Sequence, residues 1–244
     1  AAFYRNNAIH WFVTRAILEL AILRLSEQMS GTEDVSAREL IEAVWVEADR
    51  IRDQLKFEFF FPARRVFVEE LRDEMDLLDP GWEERTPDLE NVKSVLTGSR
   101  VLMAHRVLRS FLDAQLVVAE RLALRGDDPL DRRDAEVVDP FIAECEKVGR
   151  QMLLQGRLHG PESLSRELFV GALDLMSNQG LLIDPAPEPE RADQGPEGDV
   201  GPPRDSLAAR REASAAYARD LVRRVRTIES MDASIRAEVI GVGD

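Results

Sequence analysis

The stretch "AIHWFVTRAILELAILRL", residues 8–25, is the most apolar in the chain, and its reading decides the fold. A helix that crosses a bilayer needs about 20 consecutive apolar residues. Here His10, Arg15, Glu19 and Arg24 interrupt the run well short of that. The sequence therefore predicts a helix buried on most of its circumference inside a protein core, not a membrane span. Arg15 and Glu19 stand four residues apart and are expected to pair across one helical turn.

Helical periodicity continues outward from this segment. "SGTEDVS", residues 30–36, breaks the run, and Ser36 with Glu39 forms the S-x-x-E pattern of a capping box. The next helix shows Leu40, Val44, Ile51 and Leu55 at helical spacing, up to the aromatic cluster "FEFFF" that Pro62 ends. A third helix, marked by Val66, Phe67, Leu71 and Met75, stops at "DPGW", residues 79–82. A long helix is predicted from about Val95 to Leu124, with Val101, Ala104, Leu108, Phe111 and Leu112 on one stripe and Gly126 closing it. Helices near Pro140–Leu158 and Leu164–Asn178 follow, the second with Gly180 in the position after a helix end, and then a short "LLI" that reads as a lone strand.

Residues 185–205 are rich in proline and glycine with almost nothing to bury, and read as a flexible linker. Beyond it, residues 206–244 hold a C-terminal helix and tail, with Leu221, Val225 and Ile228 as a narrow apolar stripe. The fold class is all-α: a multi-helix, bundle-like domain over residues 1–184, with a C-terminal helix tethered by the linker.

Composition narrows the function. With 244 residues, 44% of them hydrophobic, the chain can bury a real core. Against 46 acidic residues stand 32 basic ones, and the net charge of −14 repels phosphate backbones, so no nucleic-acid partner is expected. A helix-turn-helix reading of "SLSRELFVGALDLMSNQGLL", residues 163–182, fails on the same ground. The lone Cys145 suggests a reducing compartment and a small buried hydrophobe. No initiator methionine and no cleavage signal open the chain, which reads as an internal piece of something longer.

A search for chemistry is short because the chain has three histidines. Five residues after His10, His105 and His159 stand Arg15, Ser110 and Leu164, so there is no H-x-x-x-x-D acid–base pair. Asn7, Leu102 and Gly156 precede the same histidines by three, which excludes the Glu-x-x-His pattern of two-metal helical bundles. H-E-x-x-H, Walker, G-x-S-x-G and dinucleotide patterns are missing as well. No catalytic residue, metal site or cofactor is expected in the chain. His105 reads as a structural histidine within a helix and His159 as a loop residue. The aromatic cluster reads as core, with an acyl-chain or membrane-facing surface as its alternative, and Glu58 within it needs a partner if buried. Arg219, Arg223, Arg224 and Arg226 surround the apolar stripe of the last helix, where they suit either a solvated face or contact with an anionic membrane.

Four blocks resemble one family in order. "YRNNAIHWFVTRAIL" (residues 4–18) is similar to the segment that follows the catalytic domain in PlsB-type glycerol-3-phosphate 1-O-acyltransferases. "LKFEFFF" (55–61) resembles that family's L-K-x-E-L/F-F block. "SRVLMAHRVLRSFLDAQLVVAERL" (99–122) resembles the long helix after it, and residues 163–182 resemble a block near the family's C-terminus. Together they span Tyr4 to Ile183, whereas the linker and last helix match nothing in the family. Only three of the 32 basic residues are lysine, as in a high-GC bacterial protein.

The resemblance implies a parent enzyme that moves a fatty acyl group from acyl-CoA or acyl-carrier protein to the 1-hydroxyl of sn-glycerol 3-phosphate, giving lysophosphatidate for phospholipid synthesis. Its H-x-x-x-x-D histidine would act as general base, and lies N-terminal to the region present here. This chain is then the C-terminal helical region, inactive alone, with its own upstream catalytic domain as partner. Arg5, Asn6, Asn7 and His10 would contact that domain or cap the first helix. The expected location is the cytoplasmic face of the cell membrane, by peripheral association. A free-standing helical interaction module and a helical transcription regulator are the competing readings.

Overall fold

The computed structural model describes residues 12–28, 37–82, 94–183 and 206–241, all-α with no strand among them. Two compact units divide the chain: residues 1–113 with 220–244, and residues 114–219. No helix among the described residues is long and apolar enough to cross a membrane.

In the first unit, α1 (Val13–Gln28) is the hub. Ala16, Ile17, Leu18, Leu20, Ala21 and Ile22 have no exposed surface, so the helix is buried nearly all round, as its apolar run requires. Each such Leu or Ile contributes about 1.5–3 kcal/mol by leaving water. It packs against α2 (Ala37–Leu55), α3 (Arg64–Leu78) and α4 (Ala104–Val107). Amphipathic α2 turns Leu40, Val44, Ile51 and Leu55 inward, and α3 turns Phe67, Leu71 and Met75 inward. Helix α3 ends at Leu78 and the chain turns at Gly81, whose φ of +80° sits in the region open to glycine. Ser36, of the expected capping box, lies outside the described residues.

The expected long helix over 95–124 is broken. A helical turn at 94–97 gives way to irregular backbone over 98–103 before α4, and α5 (Arg109–Ala123) follows after Leu108. The cause is a set of acceptors from other parts of the sequence. The Leu102 amide donates to Asp232 Oδ1 at 3.0 Å, and the Met103 and Ala104 amides each donate to Glu19 Oε2 at 2.8 Å. Two buried carboxylates take donors that a continuous helix would have given to its own carbonyls.

The second unit is built on the C-terminal part of α5, on α6 (Ala135–Leu154), a 3₁₀ turn (Pro161–Leu164), α7 (Arg166–Asn178) and the start of α8 (Leu207–Gly241). Helix α6 starts and ends several residues earlier than expected: Asp134 caps it by accepting from the Glu136 amide, and exposed Pro140 falls inside it. Its Gly149 lets α6 approach its neighbours closely, since a Cβ there would stand 2.7 Å from the Leu164 Cδ2. Ser165 caps α7 by accepting from the Leu168 amide. Gly180, with φ +68°, closes α7 by letting the Leu181 amide reach the Met176 carbonyl at 2.9 Å.

The "LLI" segment is a bend, not a strand, because its carbonyls are taken. Arg211 of α8, 1% exposed, donates to Leu181 O at 2.8 Å, Leu182 O at 3.1 Å, Gly126 O at 2.7 Å and Asp128 O at 2.9 Å. The expected linker, 185–205, lies outside the described residues. In the first unit Leu221, Val225 and Ile228 of α8 are buried, the stripe that the spacing indicated.

Candidate functional site

The charged groups of the first unit are drawn inward at two clusters. The first surrounds residues 98–104. Glu19, with no exposed surface, accepts the Met103 and Ala104 amides and faces Arg15 at 3.2 Å, the pair expected from their spacing. Burial pushes its carboxyl up to about 7, against the opposing pull of those amides and of Arg15. Arg15 also donates to Ser99 Oγ at 3.2 Å. Asp232 accepts the Leu102 amide and pairs with Arg106 at 3.3 Å and with Arg236.

His105 Nε2 lies 3.4 Å from Asp232 Oδ2, a geometry that resembles an acid–base dyad. Its surroundings argue otherwise. The ring is 11% exposed, burial holds its pKa below the ordinary value, and the carboxylate it faces is already committed to an amide and two guanidinium groups. The pair fixes the entry to α4 and has the features of the structural histidine that the sequence suggested.

The second cluster holds α8 to α1 and α2. Arg224, with no exposed surface, donates to Leu20 O at 3.0 Å and pairs with Glu47 at 2.8 Å and Asp220 at 3.0 Å. Arg24 joins the same two carboxylates, at 3.4 Å and 2.7 Å. Arg223, half exposed, meets Glu27 and Asp220 at 2.7 Å. Burial works against the charge on Asp220, but Arg223, Arg224 and Arg24 outweigh it and keep its carboxyl below the usual range. Of the four arginines singled out in the sequence, Arg224 is therefore inside. Arg219, paired with Glu212, Arg223 and Arg226 are exposed. Arg5, Asn6, Asn7 and His10 lie outside the described residues.

The aromatic cluster divides. Residues 59–63, after the turn that follows α2, belong to no helix, and their aromatic side chains face different ways. Phe59 goes inward to Phe111, ring centroids 4.8 Å apart, and Phe61 packs on Phe67 at 5.7 Å. Phe60 points out, 86% exposed, and Phe57 is 46% exposed. Arg52 clamps the loop, donating to Pro62 O at 2.9 Å with its guanidinium 5.5 Å from the Phe61 and Phe67 rings. So the cluster is core on one side and an exposed apolar surface on the other.

Glu58 in the same loop is half-buried, and burial alone pushes its carboxyl up to about 7 from an ordinary 4.5. The folded chain thus keeps a proton that the unfolded chain releases, and this group makes stability fall as pH rises from about 4.5 to 7. Glu58→Gln is expected to match the native chain near pH 4.5 and to exceed it by about 2–3 kcal/mol at pH 8, read by urea unfolding. An unchanged difference between the two pH values would refute the upward shift of this carboxyl.

Among the described residues no group of three or more His, Cys, Asp or Glu is placed to hold a metal. Cys145 is buried, and burial pushes its thiol up to about 12, so it is a packing residue without thiolate character. His159 sits exposed in the turn after α6, as expected of a loop residue. Sequence reasoning missed Glu47, Asp220 and Asp232 as anchors. Glu19 and Arg24 were visible as charges inside an apolar run, and that is the signal by which such groups can be found.

Among the described residues these charged clusters hold helices and their connections in place. The family model described as glycerol-3-phosphate acyltransferase C-terminal region matches residues 1–184. Proteins of Mycobacterium tuberculosis and Mycobacterium bovis named acyltransferase plsB1 are 41% identical over 183 residues, which cover 75% of this chain and 28% of theirs. The match thus spans little more than a quarter of the length of those relatives. No solved structure matches the chain. With three quarters of its length accounted for in this way, the chain belongs to the glycerol-3-phosphate acyltransferase C-terminal region family.

Proposed function

We propose that this chain is the non-catalytic C-terminal part of a glycerol-3-phosphate 1-O-acyltransferase. The parent protein would transfer a fatty acyl group from acyl-CoA or acyl-carrier protein to the 1-hydroxyl of sn-glycerol 3-phosphate. The observation that carries this is the family match over residues 1–184, supported by the 41% identity to the mycobacterial relatives. The chemistry is assigned to the portion before this region, since buried Glu19, Asp232 and Arg224 are spent on holding helices together.

On this reading the region supports the catalytic portion, and Arg5, Asn6, Asn7 and His10 belong to the contact between them. The parent works at the cytoplasmic face of the membrane as a peripheral protein. Exposed Arg219, Arg223 and Arg226 are the cations of α8 that meet anionic lipid, while Arg224 is committed to the interior.

The test is an acyl-transfer assay with radiolabelled glycerol 3-phosphate on the parent protein and on residues 1–244 alone. Turnover by the parent and none by the isolated chain is expected. Turnover by the isolated chain would move the chemistry into this region, and a parent that ignores glycerol 3-phosphate would remove the activity.

A further inference from the structure

Between the start of α1, the aromatic loop and α3 lies an open recess of about 310 Å³. Val13, Phe60, Phe61 and Pro62 give it apolar lining, and Glu70, Asp73 and Glu74 stand along one side. Those three carboxylates are spaced i, i+3, i+4 on α3 and so share one face of it. Among the described residues, Thr14 Oγ1 donates to Glu70 at 3.3 Å, and Arg15 stands 3.5 Å from Glu74. Phe60 stands out at 86% exposure, and Phe12, next to Val13 in sequence, at 46%.

Large exposed phenyl groups beside an acidic row form a surface that costs free energy to leave in water and that selects its occupant by charge. An anionic bilayer is disfavoured by three carboxylates along the contact. A second copy is disfavoured too, because a two-fold contact brings the same carboxylates toward one another. A protein surface with an apolar socket and basic or amide donors satisfies both features. The family region is by description C-terminal, and the matched part is 28% of the relatives' length, so most of such a protein lies elsewhere in its sequence.

We infer that this recess, with Phe60 as its apolar prong and Glu70, Asp73 and Glu74 as its acidic side, is where the catalytic portion of the parent acyltransferase docks. The inference rests on the function proposed above and names the surface that this function uses.

The test is thiol labelling of the intact parent protein in lipid-free solution, read by mass spectrometry of the labelled peptide. Phe60→Cys is compared with Leu154→Cys, whose native side chain is 89% exposed and lies elsewhere on the chain. Buried Cys145 stays silent in both. A docked recess slows maleimide labelling at position 60 by about tenfold or more relative to position 154. Adding Asp73→Lys should bring the rate at position 60 back toward that at 154. Asp73→Cys serves as a second reporter and is expected to be slow as well.

Equal rates at 60 and 154 would overturn the inference. So would slow labelling that needs added phosphatidylglycerol vesicles, which makes lipid the occupant, or that disappears on dilution, which makes it a second copy. An acyl-transfer assay on the same preparation separates the two claims. Slow labelling without glycerol 3-phosphate acylation keeps the docking surface and removes the function, and acylation with equal labelling does the reverse.

Discussion

Arg211→Ala is expected to destabilise the second unit by about 3–5 kcal/mol, the range for leaving several buried polar groups without partners. The Arg211 guanidinium donates to the carbonyls of Gly126, Asp128, Leu181 and Leu182 from a position 1% exposed. It joins the turn after α5 and the bend after α7 to the first turns of α8. Truncation leaves those carbonyls in a space that Ala does not fill. Burial already pulls its pKa below the ordinary value, the mark of a charge held away from water. The neighbour Arg210 donates to Gly180 O at 2.9 Å from a partly exposed position. Arg210→Ala should cost about 1 kcal/mol or less. Guanidinium unfolding followed by circular dichroism measures both, and equal losses would mean that Arg211 is no more than another surface arginine.

The second large effect lies in the first unit. Arg224→Ala should cost about 3 kcal/mol, because it strips a guanidinium group from buried Glu47 and one of three from Asp220 and removes a donor to the Leu20 carbonyl. Arg24 keeps partial hold of both carboxylates, which limits the loss. Arg219→Ala, at an exposed pair with Glu212, is expected to change stability by less than about 0.5 kcal/mol. Raising the salt to 1 M should leave the Arg224 effect nearly intact, since a buried pair is screened little. A loss for Arg224→Ala no larger than for Arg219→Ala would show that the cluster contributes nothing to holding α8.

What could be read in advance was whatever is local. The apolar run of α1, the 3.6-residue spacing in α2 and α3, and the glycine after α7 are short-range signals, and each produced the element expected. The break at 98–103 was invisible because its acceptors come from afar: Glu19 is 84 residues from Met103, and Asp232 is 130 from Leu102. The bend at Leu181–Ile183 was misread for the same reason, since Arg211 lies 30 residues from Leu181. Arg224 was grouped with its exposed neighbours because a helical stripe of arginines does not say which one faces Glu47. The family was legible from ordered blocks, and the division within "FEFFF" was not, because it depends on that loop leaving the helix after Leu55.

Of the arrangements among the described residues, His105 with Asp232 comes nearest to an acid–base pair. A general base contributes about 10²–10⁴ in rate. Acyl transfer to glycerol 3-phosphate by the parent protein carrying His105→Gln, measured as kcat on folded protein, is therefore the most direct test that this region supports catalysis without performing it. Turnover within about threefold of the native parent is the expected result, and a loss of about a hundredfold or more with the fold intact would contradict it.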